Sequence, residues 1–194
     1  MASLEKISTG IEGLYVLEPC LYKDKRGYFF EAYNKQEYEE LGLTMNFVQD
    51  NESMSYKSVL RGLHVQKNYP QGKLIRVITG TIYDVAVDLR KGSSTFGCWH
   101  GVELSADNNK QFYIPEGFAH GFYVKSEIAK VLFKVTDYWH PNDEIGIPWN
   151  DPDLNIDWKI PADEIPIIAD KDAHYAPFKR TMKREINNED SFNT

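Results

Sequence analysis

The sequence is short of cysteine: Cys20 and Cys98 are the only two in 194 residues. They are distant from each other and form no CxxC pair, which argues against a zinc knuckle or a disulfide framework and leaves buried thiols as the expectation. No run of roughly 18 apolar residues occurs, so no membrane-spanning helix is expected. The opening MASLEKISTG has no apolar core behind basic residues, so export is not indicated and the cytoplasm is the default location. Basic residues are the minority charge, 22 against 29 acidic, giving a net −7. A broad nucleic-acid footprint needs the opposite balance, so any anionic ligand must meet a local basic pocket. Histidine is scarce, at five, and no two form an HxH pair.

What is present is ordinary for a soluble globular chain, with 42% apolar and 26% charged residues. The length favours one domain, taken as 1–179, with a polar tail, 180–194, that is expected to fray. YNKQEYEELG is the clearest helix, because Asn34 can cap it, Glu37 stands at capping-box spacing and Gly42 can end it. Strands are expected at 13–18, 28–33, 59–66, 73–79, 81–89, 96–105, 111–115, 119–126 and 128–139, many separated by turn residues. Many short strands and one early helix predict a mainly β chain, an antiparallel sandwich or barrel. From His140 to Pro161 proline, aspartate and asparagine are dense, which predicts ordered loop lying over the domain.

The stretch RGLHVQ places Arg61, Gly62 and His64 in a strand otherwise rich in apolar residues. Strict alternation would put Arg61 and His64 on opposite faces, but a bulge at Gly62 would shift the alternation and turn both into one cavity. Lys73 shares the face of Ile75 and Val77, so its amine is directed inward unless it snorkels at the strand edge. His120 lies between glycine-containing turns in PEGFAHGF. Each of these residues alone is equally compatible with a satisfied structural position. A tight metal site needs three or four ligands, and His64-Val65-Gln66 offers one imidazole, so no metal is expected.

The stretches DKRGYFFEAYN, FVQDNESMS, VLRGLHVQ, QGKLIRV, GTIYDVAVDLRKGSSTFGCWHGVELSA, YIPEGFAHGF and GIPWNDPDLNIDW together resemble the dTDP-4-dehydrorhamnose 3,5-epimerase family over most of residues 10–175. The resemblance implies a cupin-type double-stranded β-helix, a jelly-roll barrel, with a short early helix and a loop-rich C-terminal region. It also implies a dTDP-linked 4-keto-6-deoxyhexose as substrate, no cofactor, and no nucleic-acid or membrane partner. Members are usually homodimers that exchange an N-terminal strand, a part GLYVLEP could play. The implied chemistry inverts C3 and C5, the carbons beside the C4 ketone, by removing a proton and redelivering one from the other side. Such a reaction needs a base, an opposed acid and an oxyanion stabiliser.

By the same resemblance His64 is the base, Asp172 its orienting partner, and Lys73 faces the C4 oxygen. Arg26, Arg61 and Lys171 match nucleotide and sugar contacts, where a guanidinium fork suits diphosphate oxygens. Glu31, Gln49, Asn51, His120, Trp139 and Glu144 match further ligand positions. One departure stands out. The family's proton donor is a tyrosine before a lysine in the strand that reads VLFKVTDYW here, and this chain has Phe133 at that place. Phenylalanine has no exchangeable proton; Tyr138 is on the opposite strand face, and Trp139 offers only a weakly acidic indole. A bound water or another tyrosine such as Tyr28, inversion of a single centre, or reduced activity are the consequences left open. Two other readings are a cupin that only binds a nucleotide sugar and a metal-dependent cupin oxygenase.

Overall fold

The computed structural model describes residues 3–182, and the expected fraying tail from residue 183 onward lies outside the described residues. In chain order the strands are β1 (Leu4–Ser8), β2 (Tyr15–Pro19), β3 (Tyr22–Asp24), β4 (Gly27–Phe29), β5 (Gln49–Tyr56), β6 (Leu60–Gln66) and β7 (Lys73–Thr79). They continue as β8 (Thr81–Asp88), β9 (Trp99–Ser105), β10 (Gln111–Ile114), β11 (Phe118–Val124), β12 (Ile128–Val135) and β13 (Glu144–Gly146). An α-helix, α1 (Lys35–Glu40), follows β4, and residues 178–182 are helical as well. The cap of α1 is the expected one, with the Asn34 side chain accepting from Gln36 N at 3.2 Å, and Gly42 at φ +77° ends it in the left-handed conformation.

The strands form a six-stranded sheet, β1-β2-β10-β7-β12-β5, and a five-stranded sheet, β13-β6-β11-β8-β9, with β3 and β4 as a separate hairpin. All pairings between named strands are antiparallel. The core lies between the two sheets, where Val16, Ile75, Val77, Phe112, Ile114 and Val131 of one meet Ile82, Ala86, Leu104, Phe118, Phe122 and Val124 of the other. This is the expected mainly β, cupin-like jelly roll. β8 reads as a nearly continuous apolar run because its outer face is covered as well. Tyr83, Val85 and Val87 pack there with Leu60, Leu63 and Ala119 under Ile147, Leu154 and Trp158 of the C-terminal loops and the helical Phe178. The proline- and aspartate-rich segment is thus ordered loop over the barrel, as its composition predicts, apart from the short β13. Helix α1 covers part of the other sheet's outer face, pinned by Tyr38, whose hydroxyl donates to Gln111 Oε1 at 2.7 Å.

The structure corrects three local expectations. Cys20 and Cys98 are exposed, because each sits in a connection rather than in a strand's inward row. The strand expected at 28–33 ends at Phe29, where the hairpin gives way to the loop before α1. β5, QDNESMSY, carries no apolar pattern to announce it, since its inward row is Gln49, Asn51, Ser53 and Ser55, all polar, with Ser53 in the cavity lining. Within the chain, the strand of GLYVLEP, β2, lies between β1 and β10.

Candidate active site

Strand β6 does at Gly62 what the glycine suggested. Arg61 stands opposite Phe122 of β11 and His64 opposite His120, so three steps along β6 match two along β11. This extra residue turns both Arg61 and His64 into the barrel while Leu60 and Leu63 face outward. Only glycine fits at position 62. Its φ is +114°, and a Cβ there would lie 2.6 Å from Gly121 Cα and 2.6 Å from the His120 carbonyl oxygen. Gly62→Ala is therefore expected to cost roughly 2–5 kcal/mol from backbone strain and overpacking, measurable by urea unfolding. Stability unchanged from the wild type would show that the bulge tolerates a side chain.

The cavity between the sheets has a volume of about 550 Å³ and is lined by Arg61, His64, Lys73, His120, Phe133, Trp139, Glu144, Lys171 and Asp172. Its walls are distinct. His64, His120 and Glu144 belong to the five-stranded sheet, whereas Lys73, Ile75, Val131 and Phe133 belong to the six-stranded one.

Asp172 reaches His64 from far along the chain. The segment before it is laid against the barrel by a parallel bridge between Val59 and Ile167. Glu164 anchors the same segment, accepting from Ser58 Oγ at 2.8 Å and from the Tyr123 hydroxyl and pairing with Lys57 at 3.1 Å. Asp172 then starts a 3-10 turn, Asp172–His174. Its Oδ1 lies 2.8 Å from His64 Nε2, and its Oδ2 accepts from Gly62 N at 3.3 Å. Burial pushes this carboxyl up, but His64, the Gly62 N–H and the Tyr175 hydroxyl outweigh it and hold it below the usual range. An ionised carboxylate only accepts, so Nε2 carries the hydrogen and the lone pair stands at Nδ1, the geometry of an oriented general base.

A second pair faces the same space. His120 Nε2 lies 2.9 Å from Oδ1 of Asp84, a carboxylate with 0% exposure. Lys73 belongs to this group. Burial drives its ammonium down to about 8, partly offset by the charges of Asp84 and Glu144. Burial likewise raises Asp84, opposed by His120 and Lys73.

Not every expected residue is in the cavity lining. Arg26 is 84% exposed and paired with Asp24 on the β3–β4 hairpin, and Glu31 is exposed beside Asn34. Gln49 and Asn51 point along the inward row of β5 but bond to each other at 2.7 Å and stand beyond the lining. Tyr28, one conceivable proton donor, is 54% exposed on the hairpin, away from the cavity. Arg61 spans the gap between sheets, its Nε donating to Ser55 Oγ at 3.0 Å.

Sequence reasoning passed over Asp84, although an aspartate inside TIYDVAVDL was a signal in itself, a charge placed in a fully buried strand. It also passed over Gln66. That side chain donates to the carbonyls of Tyr69 at 2.7 Å and Tyr138 at 3.2 Å and accepts from His140 N at 2.6 Å. It thereby holds both neighbours of Trp139, whose indole is 58% exposed and lines the cavity. Among the described residues no group of three or more His, Cys, Asp or Glu side chains is arranged to hold a metal ion. No helix among them is long and apolar enough to cross a membrane.

A cupin-like barrel that places a carboxylate-oriented imidazole on one wall and a half-buried ammonium on the other defines an acid–base catalyst for a small molecule. Residues 8–180 match the family model described as dTDP-4-dehydrorhamnose 3,5-epimerase, and the chain belongs to that family. A dTDP-4-dehydrorhamnose 3,5-epimerase of Methanothermobacter thermautotrophicus is 51% identical over 179 residues, covering 92% of this chain and 97% of the relative. The crystal structure of a dTDP-4-dehydrorhamnose 3,5-epimerase from Elizabethkingia anophelis is similar with a TM-score of 0.87 at 47% identity, covering 92% of this chain and 98% of that one. A dTDP-6-deoxy-D-glucose-3,5-epimerase from Legionella pneumophila, in complex with dTDP-4-keto-L-rhamnose, gives a TM-score of 0.84 at 51% identity, with 88% and 90% covered.

Proposed function

We propose that the chain epimerises a dTDP-linked 4-dehydro-6-deoxyglucose at C3 and C5, the reaction named for its relatives, in the making of dTDP-rhamnose or a related deoxysugar. The observation that carries this reading is His64, held at 2.8 Å by Asp172, in one cavity with Lys73 on the facing wall. His64 removes the proton next to the ketone, and the Lys73 ammonium stabilises the enolate oxygen, a charge that exists only after deprotonation. Arg61 and Lys171 supply the basic pocket an anionic nucleotide requires in an acidic chain, and the exposed Trp139 indole offers a flat face at the cavity for a pyrimidine. A protein that only bound the nucleotide sugar would need neither a base nor an ammonium on the facing wall.

Redelivery of the proton is the unusual step here. Phe133 lies on the wall opposite His64 and provides none. Ser53, on the inward row of β5 opposite Val131, two residues before Phe133 on β12, also lines the cavity, and its buried Oγ has no hydrogen-bond partner among the described residues. Such a hydroxyl suits a water molecule that delivers the proton in place of a phenol. Because a positioned general acid contributes about 10²–10⁴-fold, Phe133→Tyr is expected to raise kcat by about tenfold or more. An unchanged kcat would show that Phe133 does not limit the step.

Incubation with dTDP-4-keto-6-deoxyglucose in heavy water tests the reaction as a whole. Deuterium is expected at both C3 and C5 of the product. Label at one centre alone would replace the double reading with a single-centre epimerase, the alternative that Phe133 favours; label at neither would remove the activity.

A homodimer is part of this proposal. The outer face of the six-stranded sheet exposes Met54, Tyr56, Ile78 and Ile128, and the hairpin exposes Tyr22, Tyr28 and Phe29. A second copy would cover such apolar surface, and it gives the hairpin bearing Arg26 a route to a neighbouring cavity. A cytoplasmic location fits a nucleotide-sugar substrate.

A further inference from the structure

Outside the cavity lining, a phenol is built into the space behind the base. Tyr175 donates from its hydroxyl to Glu144 Oε1 at 3.3 Å. Its ring meets the His64 imidazole edge-on, with centroids 6.0 Å apart and planes at 83°. The slot for that ring is made by a missing side chain, since a Cβ on Gly146 would lie 2.0 Å from a Tyr175 ring carbon. Gly146 is the residue of β13 directly opposite His64 of β6. After His64 and the Gly62 N–H, the same hydroxyl is among the groups that hold the Asp172 carboxyl below its usual range. Burial first, then the charges of Asp172 and Glu144, push the phenol above its ordinary range, so it stays protonated and serves both carboxylates as a donor.

We propose that Tyr175 is a positioning residue whose single hydroxyl hydrogen, shared between Asp172 and Glu144, sets how Asp172 holds the base and ties that setting to occupancy of Glu144. The inference rests on the epimerase reading, in which His64 is the base and Glu144 faces the sugar. A sugar hydroxyl donating to Glu144 weakens its competition for the phenol hydrogen. That hydrogen then turns to Asp172. A hydrogen given to Asp172 spreads its negative charge and loosens its grip on a protonated imidazole. Without it the protonated form of the base is favoured, and the acidic limb of the rate profile moves to higher pH.

The test is Tyr175→Phe, which keeps the ring in its slot and removes only the hydroxyl. The expected result is a three- to tenfold fall in kcat, KM within about twofold of wild type, and an acidic limb of kcat displaced to higher pH. Incorporation of 3-fluorotyrosine at position 175, which keeps the ring and strengthens the donor, is expected to move the limb the other way. A Tyr175→Phe enzyme with wild-type kcat, KM and pH profile overturns the inference, as does a loss of kcat that comes with a lower melting temperature and an unmoved limb. His64→Ala separates the two levels. If that variant still exchanges solvent hydrogen, the reading of the base has failed; if it is inert while Tyr175→Phe matches wild type, only the role of Tyr175 has.

Discussion

Replacing His64 with alanine should abolish exchange of solvent hydrogen at the carbons beside the ketone while leaving dTDP binding nearly intact. The imidazole has a free lone pair and a carboxylate that orients it, Asp172 Oδ1 at 2.8 Å, and it shares the cavity with one other imidazole so held, His120 beside Asp84. Lys73 is protonated below about 8 and has no lone pair to offer at neutral pH. Glu144 is already engaged by Lys171 and Tyr175. A general base contributes about 10²–10⁴-fold, and loss of both base and orientation places the expected drop in exchange at about 10³-fold or more. Deuterium uptake followed by NMR, beside calorimetric titration with dTDP, checks both halves. Exchange at the wild-type rate would exclude His64 as the base, and loss of dTDP binding together with exchange would make it a binding residue.

The second large effect is expected at Lys73. Lys73→Met keeps the length of the side chain and removes the charge, so it takes away the group that meets the developing oxyanion. Removing one such donor typically costs about 10²–10³-fold in kcat, and that is the expected loss. The wild-type enzyme should show the same dependence in its pH profile. Burial brings this ammonium from 10.5 down to about 8, so kcat falls as pH rises through about 8 and the charge is lost. Stability responds with the opposite sign. The folded value is below the unfolded one, so between about 8 and 10.5 the unfolded chain binds more protons at this position than the folded one. The cost of burying the ammonium is therefore fully present below about 8 and fades as pH rises towards 10.5. Lys73→Met should accordingly melt at or above the wild-type temperature at neutral pH while nearly inactive. Rate profiles and calorimetry from pH 6 to 10 read both. A variant that lost stability and activity together would make Lys73 a structural residue.

Local pattern made most of the barrel legible. The alternating or continuous apolar runs of β6 to β12 are visible because a strand's side chains repeat every two residues and its buried face must be apolar. Helix α1 was legible from Asn34 and Gly42, the residues that close its two ends. β5 was not, since its inward residues Gln49, Asn51 and Ser53 are polar and present no apolar row. The exposed Cys20 and Cys98 show the same limit from the other side. Cysteine's usual burial is a statistical tendency, and the turn or strand end that holds a particular thiol overrides it.

By itself the sequence determined the class of the fold, the bulge at Gly62 and the kinds of group available for chemistry. Each depends on neighbours within a few residues: a period of two, a glycine inside a strand, a histidine beside it. Only the tertiary structure decided which of those groups meet. His64 and Asp172 are 108 residues apart in the chain and are joined because the C-terminal segment is laid along β6. Asp84 reaches His120 across two paired strands, Tyr175 finds the slot left by Gly146, and Arg26 stays on its exposed hairpin. Distances of this kind are set by how loops pack over a finished barrel, and no local rule of alternation or turn chemistry contains them.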